Sequence, residues 1–146
     1  MHFTKGIWTS AIIAGCIIVG VAASPRTKAE TQQQHDWCVK GASSADLQIS
    51  ACTAVIQSGR YYGKDLAWAF SNRGIAYRAK KDYDRAIADL TKAIALNPKY
   101  TDAFFNRALT YQDKGDRVRA IADYRSAAAL GDSEAREILG KLGAPP

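Results

Sequence analysis

Histidine and cysteine, from which many catalytic and metal sites are built, are scarce in this sequence. It contains two histidines and three cysteines among 146 residues. It also has no glycine-rich phosphate loop, no nucleophile elbow and no zinc-binding helix motif. The sequence therefore predicts a protein that is not an enzyme and that uses neither a cofactor nor a small-molecule substrate. Most carboxylates are expected at helix starts, where N-capping accounts for Asp65, Asp82, Asp116 and Asp132.

A strong excess of positive charge is also missing once the N-terminal segment is set aside. The whole chain has 20 basic and 14 acidic side chains, which gives a formal net charge of +6. Removing residues 1–29 deletes Lys5, Arg26 and Lys28 and no acid, so 17 basic side chains face 14 acidic ones and the net charge is +3. A mildly basic balance spread over helices does not indicate a nucleic-acid partner.

Residues 1–29 are predicted to be a secretory signal peptide. A short positively charged start precedes residues 7–23, which are almost all apolar or small. This run is short for a membrane span. Cleavage is expected after Ala23 or after Ala29, and we prefer the second because Pro25 then lies outside the apolar helix. The mature protein is then expected in the periplasm or secreted.

Two membrane-attached alternatives remain open for the same segment. The letters IAGC at 13–16 resemble a lipobox in which Cys16 would carry the lipid, although apolar residues continue after it. An uncleaved apolar segment would instead act as an N-terminal anchor. In either case the rest of the chain would lie outside the cytoplasm.

Two cysteines, Cys38 and Cys52, remain after signal removal, an even number that suits an oxidising compartment. We expect a disulfide between them, which would contribute about 3 kcal/mol if the loop-entropy estimate holds. A zinc site that includes His35 is the alternative, but the usual paired-cysteine spacing is absent. The sequence therefore predicts no metal.

An internal repeat organises most of the chain. The letters RAIAD start at 85 and again at 119, which is 34 residues later. In the same register NRGIAY at 72–77 meets NRALTY at 106–111 without a gap. A period of this length indicates stacked helical hairpins.

Each unit is predicted to contain two helices joined by a short turn. In the first unit Asp82 caps the second helix, and Asn97-Pro98 ends it. Lys81 stands where the second unit has Gly115, so its turn is expected to be slightly strained. The apolar face of the second helix consists of Tyr83, Ala86, Ile87, Leu90, Ala93 and Ile94.

The charges of RAIAD are interpreted as the outer rim of a helix. Arg85 and Asp89 lie one helical turn apart, as do Arg119 and Asp123. Arginine before aspartate is the weaker orientation of such a pair. We therefore interpret the motif as repeated packing and not as a charged functional site.

The period and the pattern of small and aromatic residues resemble the tetratricopeptide repeat. The matching residues are Phe70, Gly74, Tyr77, Ala86, Leu90, Ala93 and Pro98, then Phe104, Ala108, Tyr111, Ala120, Tyr124 and Ala127. Arg73 and Arg107 depart from the pattern by replacing its usual leucine, and Asp132 replaces its closing proline. The resemblance implies an all-α, right-handed solenoid of helical hairpins.

We expect about three repeats and a C-terminal capping helix. Residues 30–64 are predicted to form a degenerate first helical pair and a loop, because Ile49 matches Ile87 when the sequence is shifted by 38. The regular units are then 65–98 and 99–132. Residues 133–146 are the capping helix and tail, in which the residues facing the preceding pair are Ile138, Leu139 and Leu142.

The resemblance also implies a concave face, lined by the first helix of each pair, that holds an extended or helical peptide. Amides there would pair with a peptide backbone, and aromatic rings would bury its side chains. The alternative is that some of these residues pack between neighbouring helices. The residues expected on this face are Trp68, Ser71, Asn72, Ile75 and Arg78, then Phe105, Asn106, Leu109, Gln112 and Asp113.

Some members of this family bind a C-terminal carboxylate through an asparagine and several cations. Asn72 resembles that asparagine, but Asp102 and Asn106 stand where cations would be needed. We therefore predict no carboxylate clamp. The expected function is a non-catalytic adaptor or scaffold of the cell envelope that binds a protein or peptide. The alternative is a structural subunit of an envelope assembly, held through its helix ends.

Overall fold

A computed structural model describes residues 27–144. Most of the predicted signal peptide, the possible lipobox and the last two residues of the tail lie outside this range. The described part contains no strand. It contains one short 3-10 helix, Gly63–Leu66, and seven α-helices: α1 (Lys28–Lys40), α2 (Ala45–Gln57), α3 (Ala67–Ala79), α4 (Tyr83–Leu96), α5 (Thr101–Lys114), α6 (Arg117–Ala129) and α7 (Ser133–Lys141).

The helices form three hairpins stacked in chain order. Within the hairpins α1 packs on α2, α3 on α4 and α5 on α6, while α2 contacts α3 and α4 contacts α5 between them. The last helix, α7, packs on α6. The predicted all-α solenoid of helical hairpins is therefore confirmed. Within residues 27–144, no helix is long and apolar enough to cross a membrane.

The helix starts are capped by side chains that the sequence marks. Asp82, Asp116 and Asp132 each accept a hydrogen bond from the backbone N–H three residues later. The prediction for Asp65 is wrong, because this residue lies inside the 3-10 helix that leads into α3. Thr27 caps α1 through a reciprocal pair of bonds with Glu30.

Small residues let the helices of a hairpin approach closely. A Cβ added at Gly74 would lie 2.8 Å from Leu90 Cγ and 3.1 Å from the carbonyl oxygen of Ala86. In the next unit Ala108 takes this place, opposite the buried ring of Tyr124. The two units therefore have small residues at the same place because the two helices of each hairpin pack closely there.

The turn between α3 and α4 adopts a left-handed conformation at a residue that is not glycine. Lys81 has a φ of 62° and Gly115, at the matching turn of the next hairpin, has a φ of 87°. The Cβ of Lys81 makes this conformation less favourable. The slight strain predicted for this turn is confirmed.

A disulfide joins the two helices of the first hairpin. Cys38 of α1 and Cys52 of α2 are bonded, their Cα atoms lie 4.7 Å apart, and neither side chain reaches solvent. They form the centre of a small core with Ala51, Val55 and Ala69. Because both sulfurs are bonded, they are not available as thiolate ligands for zinc.

The capping helix covers the exposed end of the third hairpin. Leu139 is fully buried, and Ile138 and Leu142 pack against the same core cluster. Leu142 lies 68 residues after Gly74, two repeat periods along the chain.

Candidate functional site

A partly buried arginine–aspartate pair joins the two helices of the second hairpin. Arg73 on α3 donates from Nε and Nη2 to the two carboxylate oxygens of Asp89 on α4, at 2.7 and 2.8 Å. Its Nη1 donates to Thr53 Oγ1 on α2 at 3.0 Å. The hydrogen bonds to Asp89 raise the pKa of Arg73 above its usual value. The bidentate pair holds the two helices of the hairpin together, and the hydrogen bond to Thr53 links this hairpin to the one before.

The third hairpin repeats the same network. Arg107 on α5 donates to both oxygens of Asp123 on α6, at 2.7 and 2.8 Å, and to Thr91 of the preceding hairpin at 2.9 Å. The hydrogen bonds to Asp123 also raise the pKa of Arg107. Arg73 and Arg107 both replace the usual leucine of the repeat pattern. Each has its aspartate partner at the equivalent position of the second helix, so the arginine and the aspartate recur together.

The interpretation of RAIAD as an Arg–Asp pair one turn apart is wrong. Asp89 is only 7% exposed and bonds to Arg73 across the hairpin. Arg85 instead pairs with the capping residue Asp82 and lies 4.6 Å from the centre of the Tyr77 ring. The two charges point to different sides because the aspartate belongs to the buried face of the helix.

The same contacts support the shift of 38 residues assigned to the first hairpin. Thr53 and Thr91 lie 38 residues apart, and each accepts a bond from the arginine of the following hairpin. On the surface, Lys80 pairs with Asp46, and the equivalent lysine of the next hairpin pairs with Asp84, which again lies 38 residues later. The first hairpin is therefore linked to the stack like a regular unit.

We use the name inner face for the solvent-facing side of helices α3 and α5, which is the side expected to bind a peptide. Some of the predicted site residues are partly accessible on this face. Asn72 and Asn106 occupy equivalent positions, as do Ile75 and Leu109, and all four are half-buried. Asn106 donates from Nδ2 to the carbonyl oxygen of Asp102 at 2.8 Å. Within the described part of the chain, Asn72 has no side-chain hydrogen bond. These four side chains form a repeated amide and apolar pair.

Other predicted residues are engaged in packing. Trp68 lies edge-on to the rings of His35 and Tyr61, with ring centres 5.3 and 5.5 Å away. Phe105 contacts Tyr124 at 5.8 Å, and Leu109 packs against the same core cluster. The alternative interpretation, packing between neighbouring helices, therefore describes Trp68 and part of the surface of Leu109.

Ser71 does not lie on the accessible face, which corrects the sequence-based prediction. Its side chain is 1% exposed and lies beside Tyr100 at the entrance to α5. Burial, followed by the charge of Asp102, raises the pKa of the Tyr100 hydroxyl. The position turns inward because the second hairpin packs against the start of the third here.

The charges of the inner face are partly neutralised by each other. Arg78 on α3 donates to Asp113 on α5 at 2.6 Å, so an ion pair between two of the predicted site residues bridges two hairpins. Gln112 accepts a hydrogen bond from the Tyr124 hydroxyl at 2.8 Å. Asp102 remains exposed. Across residues 27–144, no group of three or more histidine, cysteine or carboxylate side chains could hold a metal ion.

Comparison with known proteins identifies the repeat. Residues 67–100 and residues 101–135 each match a sequence profile of the tetratricopeptide repeat. These two segments are therefore similar to the tetratricopeptide repeat, and the matches begin two residues after the starts of the predicted units 65–98 and 99–132. A comparison with curated protein sequences gives no match.

Two solved structures share the fold. One is the first tetratricopeptide repeat domain of Spaghetti (RPAP3) bound to the HSP90 peptide SRMEEVD, with a TM-score of 0.64. The other is the first such domain of the human RPAP3 protein, determined by NMR, with a TM-score of 0.63. Each is 24% identical in sequence, over 77% of this chain and 86% of the other.

Proposed function

We propose that this protein is a non-catalytic scaffold that binds a protein or peptide through the inner face of α3 and α5. The observation that carries the proposal is the repeated amide and apolar pair, Asn72 with Ile75 and Asn106 with Leu109. Amides at a fixed spacing suit the repeating backbone of an extended peptide, and the adjacent apolar groups suit alternate side chains. Tetratricopeptide repeats generally mediate protein or peptide binding, which agrees with this use of the surface.

The partner is expected to differ from a peptide held by its C-terminal carboxylate. The neighbouring structure of Spaghetti holds an HSP90 peptide with the sequence SRMEEVD. In this chain the exposed carboxylate of Asp102 lies on the inner face, and Arg78 is already bonded to Asp113. A carboxylate placed there would meet the like charge of Asp102, so the proposed ligand for this face is neutral or basic.

We also propose that the protein acts in the cell envelope after export. The buried disulfide of the first hairpin suits an oxidising compartment. The capping pair Thr27 and Glu30 favours cleavage after Ala23, since a cut after Ala29 would remove the cap of α1. N-terminal sequencing of the exported protein tests this proposal, and a mature chain beginning at residue 30 would contradict the revised cleavage site.

Peptide selection with matched variants tests the binding proposal. Peptides selected on the intact protein should lose affinity for Asn72→Ala and for Asn106→Ala, since each variant removes a hydrogen-bonding amide. The control Lys92→Ala, an exposed residue of α4, should bind as the parent protein does. Loss of about 1 kcal/mol per amide, or roughly fivefold in Kd, is expected. Equal losses in the control, or none in either asparagine variant, would show that another surface binds.

A further inference from the structure

A separate cleft opens in the first hairpin, away from the inner face of α3 and α5. It lies between the N-terminal half of α1, the C-terminal half of α2 and the loop that follows, and its volume is about 600 Å³. Its walls contain no carboxylate among the side chains that line it: Thr31, Gln32, Gln34, His35, Ala54, Val55, Gln57, Ser58, Arg60 and Tyr61.

Arg60 distinguishes this cleft from the rest of the surface. The other arginines in residues 27–144 have partners, as in the pairs that Arg73 and Arg107 form with buried aspartates. The side chain of Arg60 has none in this part of the chain, and its backbone N–H alone is engaged, by Ser58 Oγ. An unpaired guanidinium beside a cleft whose lining side chains include no carboxylate is complementary to a carboxylate, which it can bind through two parallel hydrogen bonds.

His35 contributes a second polar group to the wall of the cleft. Its Nδ1 atom is buried and has no hydrogen-bond partner in the described residues. The nearest carboxylate oxygen, of Asp36, lies 3.5 Å away, and that carboxylate also contacts Gln32 at 3.0 Å and Lys40 at 3.8 Å. The ring of Tyr61 stacks on His35 at 6.1 Å and gives the cleft an aromatic wall.

We propose that this cleft binds an acidic segment of a protein partner, with one aspartate or glutamate carboxylate on Arg60. A single guanidinium balances the one charge of a carboxylate, whereas a dianionic phosphate would need a second cation. The volume exceeds that of a lone anion, and the amides and hydroxyls of the walls suit a peptide backbone. This site does not depend on the inner face, so either proposal can fail without the other.

Nuclear magnetic resonance with a matched pair of peptides tests the proposal. The probes are acetyl-Gly-Leu-Glu-Leu-Gly-amide and the same peptide with glutamine at its centre, titrated into the isotope-labelled protein. The glutamate peptide should shift the Arg60 side-chain signal and the amide signals of His35 and Tyr61 in a saturable way. It should bind about three- to fivefold more tightly than the glutamine peptide, because the bond to the carboxylate is charge-assisted but solvent screens an ion pair at the exposed Arg60.

Two variants distinguish binding at this site from general electrostatic attraction to the protein surface. Arg60→Gln should abolish the preference for glutamate, and circular dichroism should show that it folds, since Arg60 is exposed and unpaired. Lys64→Gln removes the same charge from an exposed residue outside the cleft and should keep the preference. Equal binding of both peptides, equal loss in Lys64→Gln, or displacement of the peptide by an equal concentration of inorganic phosphate would overturn the proposal.

Discussion

Removal of the Asp89 carboxylate should destabilise the protein through Arg73, which lies on the other helix of the hairpin. In Asp89→Asn, the Arg73 guanidinium, whose side chain is 17% exposed, would keep its place without a counter-charge. Breaking a buried pair by removing one partner typically costs about 3–5 kcal/mol, and the partial exposure of this pair places the expected loss at about 2–3 kcal/mol. Urea unfolding followed by circular dichroism measures this loss.

A double-mutant cycle shows which arginine forms the ion pair with Asp89. In the variant that combines Arg73→Leu with Asp89→Leu, both charges are absent, and only the half-buried Thr53 hydroxyl loses a hydrogen-bond donor. It should therefore be much more stable than the sum of the two single losses predicts. The matched control is Arg85→Gln, which should show no coupling with Asp89→Asn. Strong coupling between residues 85 and 89, with none between 73 and 89, would refute the cross-helix pair.

Three further predictions concern packing, pH and the disulfide. Gly74→Ala should destabilise by about 1–2 kcal/mol, because its Cβ would meet Leu90, whereas Gly140→Ala, with nothing within 4 Å, should stabilise by about 0.5–1 kcal/mol in the same urea titration. The Arg85 side chain lowers the pKa of Asp82 below 3.8, so the stability that this cap contributes should be complete above pH 3.8 and lost as the pH falls through the lowered pKa. In Asp82→Asn, this loss of stability at acidic pH should be absent from the pH dependence of the free energy of unfolding. Reduction of the disulfide should lower the free energy of unfolding by about 3 kcal/mol, and thiol titration of the denatured, unreduced protein that lacks the predicted signal peptide should find no reactive cysteine.

The sequence was sufficient to predict the hairpins because their signals are local and repeated. Asp82 and Asp116 mark helix starts, and the match of Gly74 with Ala108 marks close helix contacts. The pairing of Cys38 with Cys52 followed from the two cysteines that remain when residues 1–29 are set aside. These features depend on residue type and spacing, which the sequence displays directly.

The partners of buried charges were harder to predict, because a carboxylate can bond within its helix or across the hairpin. The spacing of Arg85 and Asp89 suggested the first choice, and the structure has the second. A usable signal was present, since Arg73 and Asp89 both recur one period later, although the family pattern has leucine at the first position. Ser71 was misplaced for a related reason, because its burial depends on the next hairpin.

Site-specific photocross-linking in the native host tests the central claim most directly. A photoreactive amino acid placed at Asn72 or Asn106 should yield an adduct with a discrete protein, since these positions lie on the inner face of α3 and α5. The same group at Lys92 of α4 should yield no such adduct. Adducts of the same protein from Lys92, together with none from the two inner positions, would contradict the account.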